Sequence, residues 1–347
     1  LGGYLTEIYN WRYVFYINLP FGILAFLGLL AFVPETQKDA GRPFDWFGFT
    51  LLSLAIGALQ LMLDRGETLD WFGSREIVLE AVVAGLGLYL FVVHMATARR
   101  PFLEPQLFRD RNLVTGLCFI FIVGIILLAT LALLPPFLQN LMGYPVVTIG
   151  YVLAPRGVGT MIAMFLVGAL IRRFDVRLLI LCGLLLVALS LFEMAQFTTE
   201  VDRWAIVRTG FVQGLGLGFI FVPLSTVTFA TLEPRLRTEA TAMFSLMRNL
   251  GSSIGISIVV TLLAQNTQAH HASLAAHVTP YSAPLQTPAV STYWDLTEPS
   301  GLVALNAEVT RQAATIAYLD DFTLMMYVTL LALPLLLVLR VPRTKPA

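Results

Sequence analysis

Two apolar runs between Trp204 and Gln265 constrain this chain more than any other feature. They read RTGFVQGLGLGFIFVPLSTVTFATL and TAMFSLMRNLGSSIGISIVVTLL, and the short charged turn EPRLRTEA joins them. Each exceeds the roughly 20 apolar residues that a helix needs to cross a ~30 Å hydrocarbon core. Gly210, Gly214 and Gly218 punctuate the first run, and Gly251 and Gly255 the second. Glycine at every fourth residue lets helix backbones approach closely within lipid. Arg248 stands in the second run, a charge that lipid alone does not tolerate, so a polar cavity inside a bundle is expected around it.

The rest of the chain agrees. Hydrophobic residues make up 57% and charged residues 13% of 347, with a mean hydropathy of +0.78, far more apolar than a soluble globular protein. Net charge is zero, which excludes a global basic surface for nucleic acid. Lys38 and Lys345 are the only lysines. Cys118 and Cys182 lie in apolar runs, outside any CxxC or metal-ligand spacing, and read as packed thiols. The chain opens on Leu1 without a signal-peptide layout and is expected to be a fragment lacking its N-terminus.

Apolar runs of spanning length fall near 12–33, 46–64, 78–98, 113–138, 147–170, 177–197, 205–231, 240–265 and 322–340. They predict nine complete transmembrane helices of an all-α polytopic membrane protein, preceded by the tail of another at residues 1–5. Pro155, Pro223 and Pro334 lie inside these runs, as is common in membrane bundles. Alternate loops carry 14 of the basic residues, among them Lys38, Arg99, Arg172, Arg235 and Arg340. The other set carries five: Arg12, Arg65, Arg75, Arg203 and Arg311. The bias places the first set and the C-terminus in the cytoplasm. Trp11, Trp46, Trp71 and Trp204 stand at predicted span ends, where aromatic belts form.

Residues 266–320 form a long external loop. Its last part places Leu302, Leu305, Val309, Ile316 and Leu319 at helical spacing behind Ser300 as a cap. It reads as a surface helix leading into the last span, or as a docking platform for a periplasmic partner. His270, His271 and His277 do not make a metal site, because adjacent histidines do not share a helix face. Gly251 to Gly255 fits the G-x-S-x-G hydrolase elbow, but inside an apolar helix that pattern means glycine packing. Gly214 to Gly218 lacks the strand that a dinucleotide loop requires, and no Walker A sequence is present, so neither ATP hydrolysis nor any cofactor is expected.

Ionisable residues at membrane depth remain. Arg156 follows Pro155, and Arg248 lies about a third of the way into its span; each reads equally as a structural clamp or as part of a transport path. Gln213 and Asn249 add uncharged polar groups suited to lining the same cavity. Arg208, Glu193 and His94 sit nearer span ends and read as interfacial, since long side chains snorkel. In the turn GALIRRFDVR, Asp175 among Arg172, Arg173 and Arg177 suggests a charge latch between helix ends, or simply topology signals. Phe165, Phe211, Phe219, Phe221 and Phe244 either hold bulky apolar cargo or pack against lipid and neighbouring helices.

The opening LGGYLTEIYNWRYVFYINLPFG resembles the end of the antiporter motif of fourteen-span drug:proton antiporters, the EmrB/QacA type of the major facilitator superfamily. The two glycine-rich runs are similar to that family's last-but-two and last-but-one helices, and the turn at 168–177 to a degenerate copy of its cytoplasmic loop. The resemblance implies the C-terminal portion of a major facilitator bundle. Residues 1–45 would end the N-terminal bundle, 46–112 would supply two extra linking helices, and 113–347 the C-terminal six-helix bundle. It also implies proton-coupled export of amphipathic drugs by alternating access at the bacterial inner membrane. The acids that bind the coupling proton would lie in the missing N-terminal part, and the resemblance to envelope-spanning members implies a periplasmic adaptor and an outer-membrane channel as partners. A same-fold exporter of one narrow substrate, such as a siderophore or a self-made antibiotic, is the alternative. A membrane enzyme or sensor is remote, because no nucleophile–base or metal constellation is visible.

Overall fold

The computed structural model describes the whole chain except residues 1, 34–43, 99–100, 280, 283–284, 286, 288–293, 295–297 and 340–347. Seven of the basic residues in the topology count (Lys38, Arg42, Arg99, Arg100, Arg340, Arg343, Lys345) lie outside the described residues, as does much of 283–297. Among the described residues the chain is helical and has no strand.

The elements are α1 (Gly2–Ile8), α2 (Tyr13–Tyr16), α3 (Asn18–Phe32), α4 (Trp46–Arg65), α5 (Arg75–Thr97), α6 (Arg111–Pro136), α7 (Val146–Leu170), α8 (Val176–Met194), α9 (Arg203–Ala230), α10 (Arg237–His277) and α11 (Pro299–Leu331). Nine segments among the described residues are long and apolar enough to cross a membrane, the first being α2 and α3 together. This is a multi-pass membrane protein. Its exposed apolar side chains, such as Phe21, Leu30 and Leu79, suit lipid or neighbouring membrane helices rather than water.

Helices α4, α6 and α8 start at the arginine-rich end of the bundle, each behind an aspartate. Asp45 accepts the Gly48 N–H at 2.9 Å, Asp110 accepts that of Leu113 at 2.9 Å, and Asp175 accepts that of Arg177 at 2.8 Å. Each carboxylate satisfies an orphan donor and complements the positive end of the helix dipole.

Helices α6 to α11 form a six-helix bundle. Helix α9 is its hub, packing on α7, α8 and α6, while α6 also packs on α10 and α11 closes against α10 and α8. The α4–α5 hairpin joins the bundle through α10. Glycines set the closest crossings. A Cβ on Gly218 would fall 2.5 Å from the Ala163 Cβ, and one on Gly255 would fall 2.7 Å from the Ile125 Cα. One on Gly251 would collide with the Phe121 carbonyl, whereas Gly210 faces only the Arg156 Cβ at 3.8 Å, an ordinary contact. At the far end Phe137 packs edge-on against Tyr318 (5.4 Å between ring centroids) and Phe322 (6.4 Å), sealing α6 to α11.

Helix α10 has 41 residues and α11 has 33. At 1.5 Å per residue α10 is about 60 Å long, twice the hydrocarbon thickness. The expected end near residue 265 is therefore too early. Residues 266–277 hold neither Gly nor Pro and are rich in alanine, so the helix continues as a polar extension. Helix α11 runs beside it: His271 Nε2 lies 3.0 Å from Oδ1 of Asn306 near its start, and His270 Nε2 lies 2.7 Å from Oδ2 of Asp320 further along. Ser300 is not the cap. Glu298 holds the N-cap position and Pro299 the first helical one, where its fixed φ and missing N–H suit the helix. Leu305 is buried there, but Leu302 is exposed.

Candidate functional site

The site grows out of the crossing of α7 and α9. A Cβ on Gly214 would collide with the Arg156 carbonyl, so glycine at that position lets α7 press onto α9. The guanidinium of Arg156 is thereby carried inward towards α6, and the residue is only 7% exposed. Its Nη2 donates to the Leu127 carbonyl at 3.3 Å, while Nη1 is buried without a partner. Among the described residues Arg156 makes no ion pair.

Gln213 approaches the same stretch of α6 from α9. It is fully buried, and its Nε2 donates to Thr130 Oγ1 at a long 3.5 Å. Thr130 passes its own proton to the Ile126 carbonyl at 2.7 Å, and Gln213 Oε1 is left without a donor. Two buried polar side chains with unused capacity thus converge between α6, α7 and α9. Beside Arg156 lies a cavity of about 400 Å³, walled by Leu127, Leu131, Leu153, Met164 and Phe221. The cleft is open where Leu131 and Met164 are exposed, and its lining, apolar with a few polar groups, has the composition of a small-molecule site.

The other two members of the expected transport path lie elsewhere. Arg248 is half-buried on α10 and makes no ion pair among the described residues. Its carbonyl accepts the Ser252 hydroxyl at 2.8 Å and sits where a Gly124 Cβ would collide, so its backbone belongs to the α6–α10 seam. Asn249 is exposed and turned towards α4, lining a cavity of about 490 Å³ with Gln60, Asp64 and Glu67. Gln213 and Asn249 therefore do not share a cavity. They sit on helices that both pack on α6, but Asn249 lines the cavity towards α4, whose wall Leu128 of α6 also joins.

The Arg172, Asp175 and Arg177 latch is not an ion pair either. Among the described residues no salt bridge joins Asp175 to these arginines. The Asp175 carboxylate turns back to cap α8, because the N–H beside it is the nearer donor, and Arg177 Nη2 donates to the Leu339 carbonyl. Of the five phenylalanines, Phe221 lines the Arg156 cavity and Phe244 is buried against Phe221 and Phe229, whereas Phe165 is 78% exposed on the outer surface.

Three features escaped sequence reasoning. Arg208 Nη2 lies 3.1 Å from Glu193 Oε1, pairing α9 with α8. His94 Nε2 lies 2.8 Å from Asp45 Oδ2, tying the end of α5 to the start of α4. Asp321 on α11 is 1% exposed, and among the described residues it is the one carboxyl group with both oxygens buried and unbonded. Its signal was present: Ala317, Asp321 and Met325 recur every four residues on one buried face.

The model of the Major Facilitator Superfamily matches residues 1–264. The chain is 31% identical over 324 residues to the fatty acid resistance protein FarB of Neisseria gonorrhoeae, covering 93% of this chain and 64% of that protein. It is 33% identical over 285 residues to the multidrug export protein EmrB of Escherichia coli (strain K12), covering 81% of this chain and 56% of that protein. The chain thus spans between about half and two thirds of these relatives. A bacterial homolog of the human lysosomal transporter Spinster, solved in an inward-facing and unoccupied conformation, aligns with a TM-score of 0.45 at 16% identity, over 84% of this chain and 69% of that one.

Proposed function

The chain belongs to the Major Facilitator Superfamily, and we propose that it is the C-terminal part of a proton-coupled exporter of amphipathic drugs or toxic small molecules. The carrying observation is the apolar cavity between α6, α7 and α9 with Arg156 at its wall and Gln213 close by. Buried polar groups with unused hydrogen-bonding capacity are costly in lipid and mark substrate or ion pathways. The relatives named for multidrug export and fatty acid resistance support the substrate class.

In this reading residues 1–45 close the N-terminal bundle, 46–112 are linking helices and 113–347 form the C-terminal bundle. The charge bias supports a cytoplasmic arginine-rich end and C-terminus in this reading, and the likeness to bacterial multidrug exporters supports the bacterial inner membrane. Alternating access is rocking of one bundle against the other about the cavity. The glycine seams keep the C-terminal bundle rigid while it moves, and Arg248 and Asn249, which line no part of the Arg156 cavity, would contribute to the path only from the separate α10 face. The extensions of α10 and α11 then project on the periplasmic side, where they offer a surface to an adaptor that leads to an outer-membrane channel.

The test expresses the full-length gene in a pump-deficient bacterium loaded with fluorescent amphipathic dyes. Efflux that stops on adding a protonophore is expected. An inserted protein that exports none of the panel would favour the single-substrate alternative.

A further inference from the structure

We propose that a phospholipid is built into the contact between the α4–α5 hairpin and α10. Its two acyl chains fill adjoining apolar cavities, and its phosphate lies at the arginine-rich end of the bundle. The lipid is a structural partner and not cargo, so the inference stands apart from the Arg156 cavity.

Within itself the hairpin is tight: a Cβ on Gly87 of α5 would fall 3.1 Å from the Ala55 Cβ on α4. Against α10 it is loose. Two cavities of about 540 and 550 Å³ lie there, and Leu52, Ile56, Leu103, Met243, Leu246 and Leu250 are their common wall. Every side chain lining the first is apolar, so water entering it would find no hydrogen-bond partner. The second carries Ser53, Gln60 and Asn249 and is otherwise apolar. Left empty, these walls would forfeit their dispersion contacts. The first cavity opens beside Phe72, Leu88 and Phe108, each more than half exposed, so hydrocarbon can enter from the side. Helix α4 lines the first cavity from Leu52 to Met62 and the second from Phe49 to Gln60. Each stretch is roughly 15 Å of helix, half of a ~30 Å hydrocarbon core and hence the depth of one leaflet. A single-chain amphiphile would fill one cavity and leave the other void, whereas the two chains of a phospholipid fill both. Charge fixes the end at which its head lies. Arg109 follows Phe108 of the lining and Arg237 opens α10; both are exposed, and among the described residues neither makes an ion pair. Bases placed so at the membrane surface complement a phosphate, while Asp64 and Glu67 stand at the opposite end of α4.

The experiment locates the lipid in the full-length protein. The protein is reconstituted in nanodiscs holding a phospholipid with a photoreactive diazirine in one acyl chain, extracted into mild detergent to strip loosely held lipid, irradiated, and mapped by peptide mass spectrometry. In the wild type, label should survive extraction and concentrate on the stretches of α4, α5 and α10 that line the cavities, above the exposed faces of α3 and α8. Even labelling of all lipid-facing helices, or no label after extraction, would overturn the proposal. Filling of the cavities by another segment of the full-length protein would show as an unlabelled hairpin and would overturn it likewise. Gly85 lines the first cavity and Gly57 the second, and a Cβ on either meets nothing within 4 Å, so Gly85→Leu and Gly57→Leu place bulk where the chains lie. Each should lose most of the label retained at the hairpin. Gly28→Leu, on α3 with as much room but outside both cavities, should keep it. Unchanged label in the two filled variants would overturn the proposal. Should one of them fail to fold, the wild-type map and the other variant still decide.

Discussion

Gly218→Ala should loosen the bundle although it adds only a methyl group. A Cβ at that position would fall 2.5 Å from the Ala163 Cβ, 2.9 Å from the Thr160 carbonyl and 3.3 Å from the Met164 nitrogen. Ordinary contact begins near 3.4 Å, and two of these neighbours are backbone atoms that cannot rotate away. Helices α7 and α9 would have to part by roughly 1 Å, and overpacking of that kind costs about 1–3 kcal/mol. Against it stands a gain of up to about 1 kcal/mol from replacing glycine in a helix. Gly150→Ala, on α7 with nothing within 4 Å of its Cβ, takes the gain without the clash. The two variants should therefore differ by about 1–3 kcal/mol in unfolding of the purified protein in detergent, with Gly150→Ala at or above wild type and Gly218→Ala below it. Moving the methyl across the seam, in Gly218→Ala with Ala163→Gly, should recover part of the loss because the two positions are in direct contact. Equal stability of the two single variants would refute the idea that glycine sets the α7–α9 approach.

Other expectations follow from single contacts. Arg248→Ala should insert and fold yet export more slowly, measured as dye efflux per inserted protein; wild-type efflux would confine Arg248 to its seam. Asp45→Ala should cost about 1 kcal/mol at neutral pH as a lost N-cap. The Gly48 N–H, with His94 beside it, holds the Asp45 carboxyl below the usual carboxylate range. A depressed folded-state value gives stability that is present above the unfolded pKa of about 3.9 and lost as pH falls from there through the folded one, so the gap between variant and wild type should narrow in that acid range. Asp321→Asn removes a buried, unbonded charge while keeping its shape, and the unfolding midpoint should hold or rise; a clear fall would mean that the carboxylate is paired in the protein. Replacing 270–299 by a short loop should spare energised transport in vesicles and impair resistance in whole cells if the helix extensions dock an adaptor, whereas equal loss in both would make them part of the fold.

Much of the architecture was legible because lipid imposes a length rule. Runs such as 113–138 and 205–231 could only be spans, and glycine at every fourth residue pointed to the faces of α9 and α10 that carry the close crossings. What lay beyond the membrane was not legible in the same way. The α10 extension is polar, so hydropathy ended the helix at 265, although its alanine-rich sequence carries it on to His277. Depth in the sequence identified Arg156 but not its isolation, because a missing partner is a property of three helices at once. Counting charges at 172–177 does not show where they turn: the Arg177 N–H takes one Asp175 oxygen as a helix cap, and among the described residues no arginine pairs with the carboxylate. Asp321 falls just outside the expected last span, 322–340, whereas the helix that carries it begins at Pro299.

The most direct test of the exporter account uses full-length protein reconstituted in proteoliposomes with an internal pH dye. An imposed proton gradient should drive an amphipathic substrate against its own gradient, and adding substrate to loaded liposomes should in turn move protons the opposite way. Substrate flux in the absence of any reciprocal proton movement would contradict coupled export by this bundle.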